Sequence, residues 1–224
     1  MNVVQSNPKK DDDIENQNGK AEEAEYLPYS YEINEGAYRS EMTASVPAPC
    51  CYKRKIGRMY VCCEDQDQKP TCLFGACWPM TFITWALVVF PVIGVSILVI
   101  PAMNNPVAEV VSFIFTTVIV LIYSITLFCT GFSNPGIFKR HKDPVDGWTF
   151  HSSTNSYRPR GVVFCSESQV LVEEIDHFCP WTGTTIAKGN LKCFSIFVTM
   201  VCVGILYLPA LLVISMMVGG VPGS

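Results

Sequence analysis

Charge is what this sequence has little of. Only 16% of its 224 residues are Asp, Glu, Lys or Arg, while 49% are hydrophobic. That balance excludes an ordinary soluble domain and points to a membrane protein. From Pro70 to Ala108 there is no charged residue at all. The N-terminus lacks the basic start and apolar run of a signal peptide. Without one, the eleven cysteines, an odd number, do not read as a disulfide framework. Histidine is scarce too: His141, His151 and His177 are all there are. Half of the 20 acidic residues behind the net charge of -4 crowd into the first fifty positions, among them Asp11, Asp12, Asp13, Glu22, Glu23 and Glu25. That distribution points away from a nucleic-acid partner. There is no internal repeat.

What is present is organised by apolar runs. Residues 1–48 are acidic and poor in aliphatic side chains, and are expected to be a disordered tail. Residues 49–79 form a juxtamembrane segment in which Cys50, Cys51, Cys62, Cys63, Cys72 and Cys77 punctuate a basic stretch of Lys53, Arg54, Lys55 and Arg58. These cysteines have three readings: lipidation sites beside basic residues, a metal cluster, or apolar interfacial residues. The metal reading lacks the usual Cys-x2-Cys pair.

The fold class expected is an α-helical integral membrane protein with three transmembrane helices. Met80–Ile100 is long enough to cross a hydrocarbon core, which takes about 20 apolar residues. Pro91 and Gly94 fall inside it, as membrane helices tolerate. Val107–Phe128 is the second span, so residues 80–138 make a helical hairpin. Asn134-Pro135-Gly136 breaks the helix, and the basic cluster Lys139, Arg140, His141 and Lys142 follows. Residues 139–192 form a polar domain too long for a simple turn. The third span, about Phe194–Val218, lies in the last segment, 193–224. Lys and Arg flank the first span and fill the long loop, whereas the 101–106 turn has none. The positive-inside rule then puts the N-terminus and residues 139–192 in the cytosol.

The long loop contains Asp176-His177-Phe178-Cys179-Pro180-Trp181. A Cys two residues after a His, with an Asp beside that His, supplies a nucleophile, a base and a group to orient the imidazole. At a membrane surface, in a reducing cytosol, that trio suggests thioester chemistry on lipid-derived acyl groups. Cys179 by itself would read as a small buried apolar residue, and Asp176 as the cap of a turn. Their spacing in the string favours the chemical reading.

The string resembles the cysteine-rich domain of the DHHC protein S-acyltransferases (palmitoyltransferases). The resemblance rests on the Arg-Pro element at Arg158 to Arg160, the tetrapeptide at 176–179, Pro180-Trp181, and the spacing of Asn190 and Phe194. Two spans before the loop and one after match the family plan over roughly residues 80–217. Asn134-Pro135-Gly136 resembles the family's Asp-Pro-Gly element, with Asn for Asp. The resemblance implies acyl-CoA, such as palmitoyl-CoA, as acyl donor. It implies Cys179 as the acylated nucleophile, His177 as its base and Asp176 as orienter. Partners implied are the lipid bilayer and proteins presenting a Cys at the cytosolic face. The location implied is the Golgi, the endoplasmic reticulum or the plasma membrane.

The sequence departs from the family at its metal ligands. The signature's second His is Phe178. The eight positions where the family has two Cys3His zinc sites hold His151, Thr154, Phe164, Cys165, Ser168, Leu171, Phe178 and Thr185. Only His151 and Cys165 are zinc donors, and they fall in different sites, so zinc is expected to be absent. Phe164, Leu171 and Phe178 are expected to form an apolar cluster instead. The family's fourth span is also missing. The alternative to an acyltransferase is therefore a catalytically impaired DHHC-like membrane adaptor or a truncated fragment.

Overall fold

The three apolar runs are three long helices in the computed structural model, which describes residues 47–219. The acidic stretch 1–48 lies outside the described residues apart from its last two. Helix α1 is Pro79–Val99, followed by a short 3-10 turn, Pro101–Met103. Pro79 opens α1 at a position where the missing N–H costs nothing. Helix α2, Pro106–Phe132, is also opened by a proline and is capped by Asn105, whose side chain accepts from Val107 N (3.1 Å) and Ala108 N (3.2 Å). Helix α3 is Leu191–Val218. Each is long and apolar enough to cross a membrane. Helix α2 runs four residues past the expected Phe128, and α3 begins three residues before Phe194. The α2 extension packs on the domain beneath, Phe132 meeting Phe74 with centroids 5.0 Å apart, a contact periodicity does not reveal.

The helices are dressed for lipid. Leu98, Leu206, Met216 and Met217 are exposed, and hydrogen bonds tie the helices together on the inside. Trp85 Nε1 donates to Ser124 Oγ (2.9 Å) and Tyr123 OH to the Thr84 carbonyl (3.1 Å). Tyr207 OH and Thr116 Oγ1 are 2.6 Å apart. Val89, Tyr123, Leu127 and Phe197 form the bundle's buried core.

The polar domain is built from hairpins rather than irregular loop. Strands β1 (Arg54–Ile56), β2 (Met59–Glu64) and β3 (Pro70–Phe74) make an antiparallel sheet before α1. Four hairpin partners follow α2 in pairs: β4 (Thr149–His151) with β5 (Ser156–Arg158), and β6 (Val162–Cys165) with β7 (Val170–Glu173). Strand β8 (Ile175–Cys179) pairs with β9 (Thr184–Ala187), which leads into α3. The signature tetrapeptide thus lies on a strand.

The juxtamembrane segment and the long loop share one core. Ile56, Met59, Val61 and Leu73 from the first sheet are buried with Val162, Cys165, Val170, Leu171, Val172 and Ala187. Two asparagines pin this domain to the bundle. Asn190 Nδ2 donates to the carbonyls of Thr130 (3.2 Å) and Thr185 (2.9 Å), and its Oδ1 accepts from Ala187 N (2.9 Å). Asn134 Oδ1 accepts from Gly136 N and Ile137 N, both 2.8 Å, turning the chain after α2. Its Nδ2 donates to the Pro70 carbonyl at 2.6 Å. An aspartate could make the turn but not that last bond.

Candidate functional site

Strand β8 carries Asp176, His177 and Cys179 to the foot of the helices. Side chains two apart on a strand share a face, so His177 and Cys179 point the same way. A bulge between Ile175 and His177 breaks strict alternation. Asp176 Oδ2 accordingly lies 3.4 Å from His177 Nδ1 instead of across the sheet. Cys179 is buried, at 5% exposure, while the His177 and Asp176 side chains are open to solvent at 42% and 56%. The edge of the His177 ring meets Phe194, centroids 5.2 Å apart.

Cys179 borders an apolar cavity of about 300 Å³ among the three helices, walled by Thr84, Tyr123, Trp181, Phe194, Phe197 and Val201. A second hollow of about 190 Å³ shares Val88, Tyr123 and Val201 with it and continues to Pro91, Gly204 and Leu208. The pair makes an apolar path from the thiol into the bundle. The turn after Cys179 is fixed to α1: Thr84 Oγ1 donates to the Trp181 carbonyl and Thr81 Oγ1 to that of Thr182, each at 2.7 Å. The arrangement places a thiol at a lipid-like cavity, with an imidazole and carboxylate on the aqueous side. Sequence reasoning named the strand residues and missed the cavity walls. They are ordinary membrane-helix residues that only helix packing gathers.

The eight positions noted above gather into two groups of four. His151 Nδ1 meets Thr154 Oγ1 at 3.0 Å, its ring lies on Phe164 with centroids 4.9 Å apart, and Phe164 faces Leu171 across β6–β7. In the second group Thr185 Oγ1 meets Cys165 Sγ at 3.2 Å and hydrogen-bonds Ser168 Oγ, while Phe178 faces Thr185 across β8–β9. Each group holds one good zinc donor, and a structural site needs four. Burial, with Arg158 close by, lowers the His151 pKa, so its ring is neutral and committed to Thr154. These residues do not fit structural zinc. Phe164 and Phe178 pack with buried Leu171 against the common core, but the second group is not simply apolar. One donor direction satisfies it: Ser168 to Thr185, Thr185 to Cys165, and Cys165 to Glu167 Oε2 at 3.4 Å.

On the first sheet Cys63 stands opposite Cys72, where the β2–β3 register is irregular. Burial, then the neighbouring thiols of Cys72, Cys63 and Cys51, pushes the Cys62 thiol up to about 11. Cys62 is thus held protonated near neutral pH. Among the described residues, no three His, Cys, Asp or Glu side chains gather as a metal-holding group.

Comparison with known proteins bears on the same region. Residues 145–220 match the family model described as DHHC palmitoyltransferase. A protein of Danio rerio named palmitoyltransferase ZDHHC5-B is 27% identical over 40% of this chain and 17% of its own length. An Arabidopsis thaliana protein named probable protein S-acyltransferase 6 is 31% identical over 42% of this chain and 31% of its own. The matched part covers less than a third of either relative.

Proposed function

We propose that this chain is a member of the DHHC palmitoyltransferase family, a membrane-embedded protein S-acyltransferase acting through an acyl thioester on Cys179; the match of residues 145–220 to that family's model supports the reading. The observation that carries the reading is the position of the Cys179 thiol, bordering the apolar cavity, on the strand whose His177 has Asp176 3.4 Å from Nδ1.

His177 takes the Cys179 proton. The thiolate attacks the carbonyl carbon of acyl-CoA, the carbon–sulfur bond to CoA breaks, and the CoA thiolate leaves with the proton from the imidazolium. In the second half the Cys of an acceptor protein gives its proton to His177 and attacks the acyl-Cys179 thioester. Cys179 leaves and regains a proton from His177. Asp176, beside Nδ1, favours the tautomer protonated there and leaves Nε2 as the nitrogen that takes the proton. The apolar path holds the acyl chain, whose transfer from water is worth about 0.8 kcal/mol per CH2. Palmitoyl-CoA and cytosolic-face protein thiols are the substrates of this reading. The test is mass-spectrometric mapping of acylated residues after palmitoyl-CoA is given to full-length protein in bilayers.

Two outcomes follow. A Cβ on Gly204 would meet nothing within 4 Å, so Gly204→Phe should fold and fill the deep hollow. It should shift donor preference toward shorter acyl-CoAs in a competition of myristoyl- against palmitoyl-CoA; an unchanged preference would mean that the chain lies elsewhere. The charge asymmetry puts the N-terminus and residues 139–192 on the cytosolic side. A glycosylation acceptor inserted near Asp146 should stay unmodified in microsomes, and its glycosylation would reverse the topology.

A further inference from the structure

Residues 54–77 reach the catalytic hairpin by two routes, one relayed through the β6–β7 turn and one direct. At one end the β1–β2 turn sits on the β6–β7 turn. Arg58 N donates to the Ser168 carbonyl at 2.8 Å. Gly57 makes that approach possible: its φ is +56°, and a Cβ there would stand 2.4 Å from the Ser168 oxygen and 2.5 Å from that of Gln169. From Ser168 the contact continues through its hydroxyl to Thr185, which faces Phe178, next to both His177 and Cys179. At the other end, Cys77 N donates to the Gly183 carbonyl at 2.9 Å. Gly75 lies so close that a Cβ would meet that same oxygen at 2.3 Å. Gly183 belongs to the turn joining β8 to β9. The sheet itself is anchored by the bond from Asn134 Nδ2 to Pro70 O and by a bridge between Cys72 and Ser133 at the end of α2.

The hairpin held this way is the one whose metal-ligand positions are degenerate. We infer that residues 54–77 form a metal-free clamp that positions β8–β9, and with it His177 and Cys179, in place of a zinc ion in the second group of four. The inference rests on the acyltransferase reading for its consequence in catalysis, and on contacts alone for its consequence in structure. Ser168 and Thr185 are the positioning residues, because they stand at ligand positions and also relay the clamp. Asn134 is part of the device. Its amide supplies the donor to Pro70, while its turn-making bonds would survive in Asn134→Asp.

The second group can be rebuilt as a Cys3His site by Ser168→Cys, Phe178→His and Thr185→Cys, with Cys165 as the fourth ligand. Four full-length proteins in bilayers test the clamp: the natural chain, Gly57→Val, the triple reversion, and Gly57→Val combined with the reversion. Zinc content, amide exchange of residues 175–187 and acylation of Cys179 are read on each, with Asn134→Asp as a milder undocking in both backgrounds. The natural chain should hold no zinc at this group, and a chelator should change neither exchange nor rate. Gly57→Val should speed exchange of the hairpin, and lost positioning should lower acylation by about a hundredfold. The reversion should bind one zinc, and with zinc loaded neither Gly57→Val nor Asn134→Asp should alter hairpin exchange. Should Gly57→Val fail to fold, Asn134→Asp decides by the same comparison.

A natural chain that loses zinc and hairpin protection together on chelation would overturn the inference. So would undocking that leaves hairpin exchange unchanged, or a reversion that takes up no zinc. If exchange behaves as described while Cys179 is never acylated, the clamp stands and the acyltransferase reading falls.

Discussion

Cys179→Ser should abolish the hydroxylamine-sensitive acyl group that palmitoyl-CoA leaves at this position. Cys179 is buried at the mouth of an apolar path, so the acyl chain that reaches it is already out of water. His177→Ala should slow the same self-acylation by about 10²- to 10⁴-fold, the range of a positioned general base. Because higher pH supplies thiolate without a base, that deficit should narrow as pH rises. A loss of folding would show no such narrowing. Asp176→Ala should cost less, up to about a hundredfold. Its carboxylate touches only Nδ1, at 3.4 Å and in solvent, so it orients the ring without taking the proton. Cys50, Cys51, Cys62 and Cys63 could acquire lipid from other enzymes, and the modified residue must be located by mass spectrometry. If Cys179 remains unmodified in full-length protein supplied with palmitoyl-CoA, the adaptor reading replaces the enzyme.

Asn190→Ala should be among the most damaging single changes outside the strand. Asn190 is fully buried and satisfies three backbone groups at once, on β9, at the end of α2 and at Ala187. Truncation strands all three, and each buried unsatisfied group costs about 1–3 kcal/mol. A loss of about 3 kcal/mol or more is expected. Asn190→Asp should be at least as harmful. It keeps the acceptor for Ala187 N but turns a carboxylate toward two carbonyl oxygens, with no donor left for either. Thermal midpoints in detergent would check the order, the natural protein highest and Asn190→Asp no better than Asn190→Ala. An aspartate variant as stable as the natural protein would sink the account.

The bundle was legible in the sequence because the membrane imposes a local rule. A segment that spans lipid must be long, apolar and uncharged, and each of these properties is visible within twenty residues. That fixed the three helices to within a few residues. The strand residues Asp176, His177 and Cys179 were legible for a related reason: their relation is one of spacing along a single strand, within four consecutive residues.

Contacts between distant segments were beyond its reach. Residues 54–77 read as a basic, cysteine-rich stretch beside a helix. Their role lies in Gly57 against Ser168 and Gly75 against Gly183, over a hundred residues away in the chain. The eight degenerate ligand positions announced what was missing. Only folding revealed that a hydroxyl–thiol relay stands in one group and a histidine on a phenylalanine in the other. Asn134 shows the division in one side chain. Its carbonyl oxygen makes a local turn that Asn-Pro-Gly already predicts. Its amide nitrogen bonds Pro70, sixty-four residues earlier, and that choice of Asn over Asp has a reason only in three dimensions.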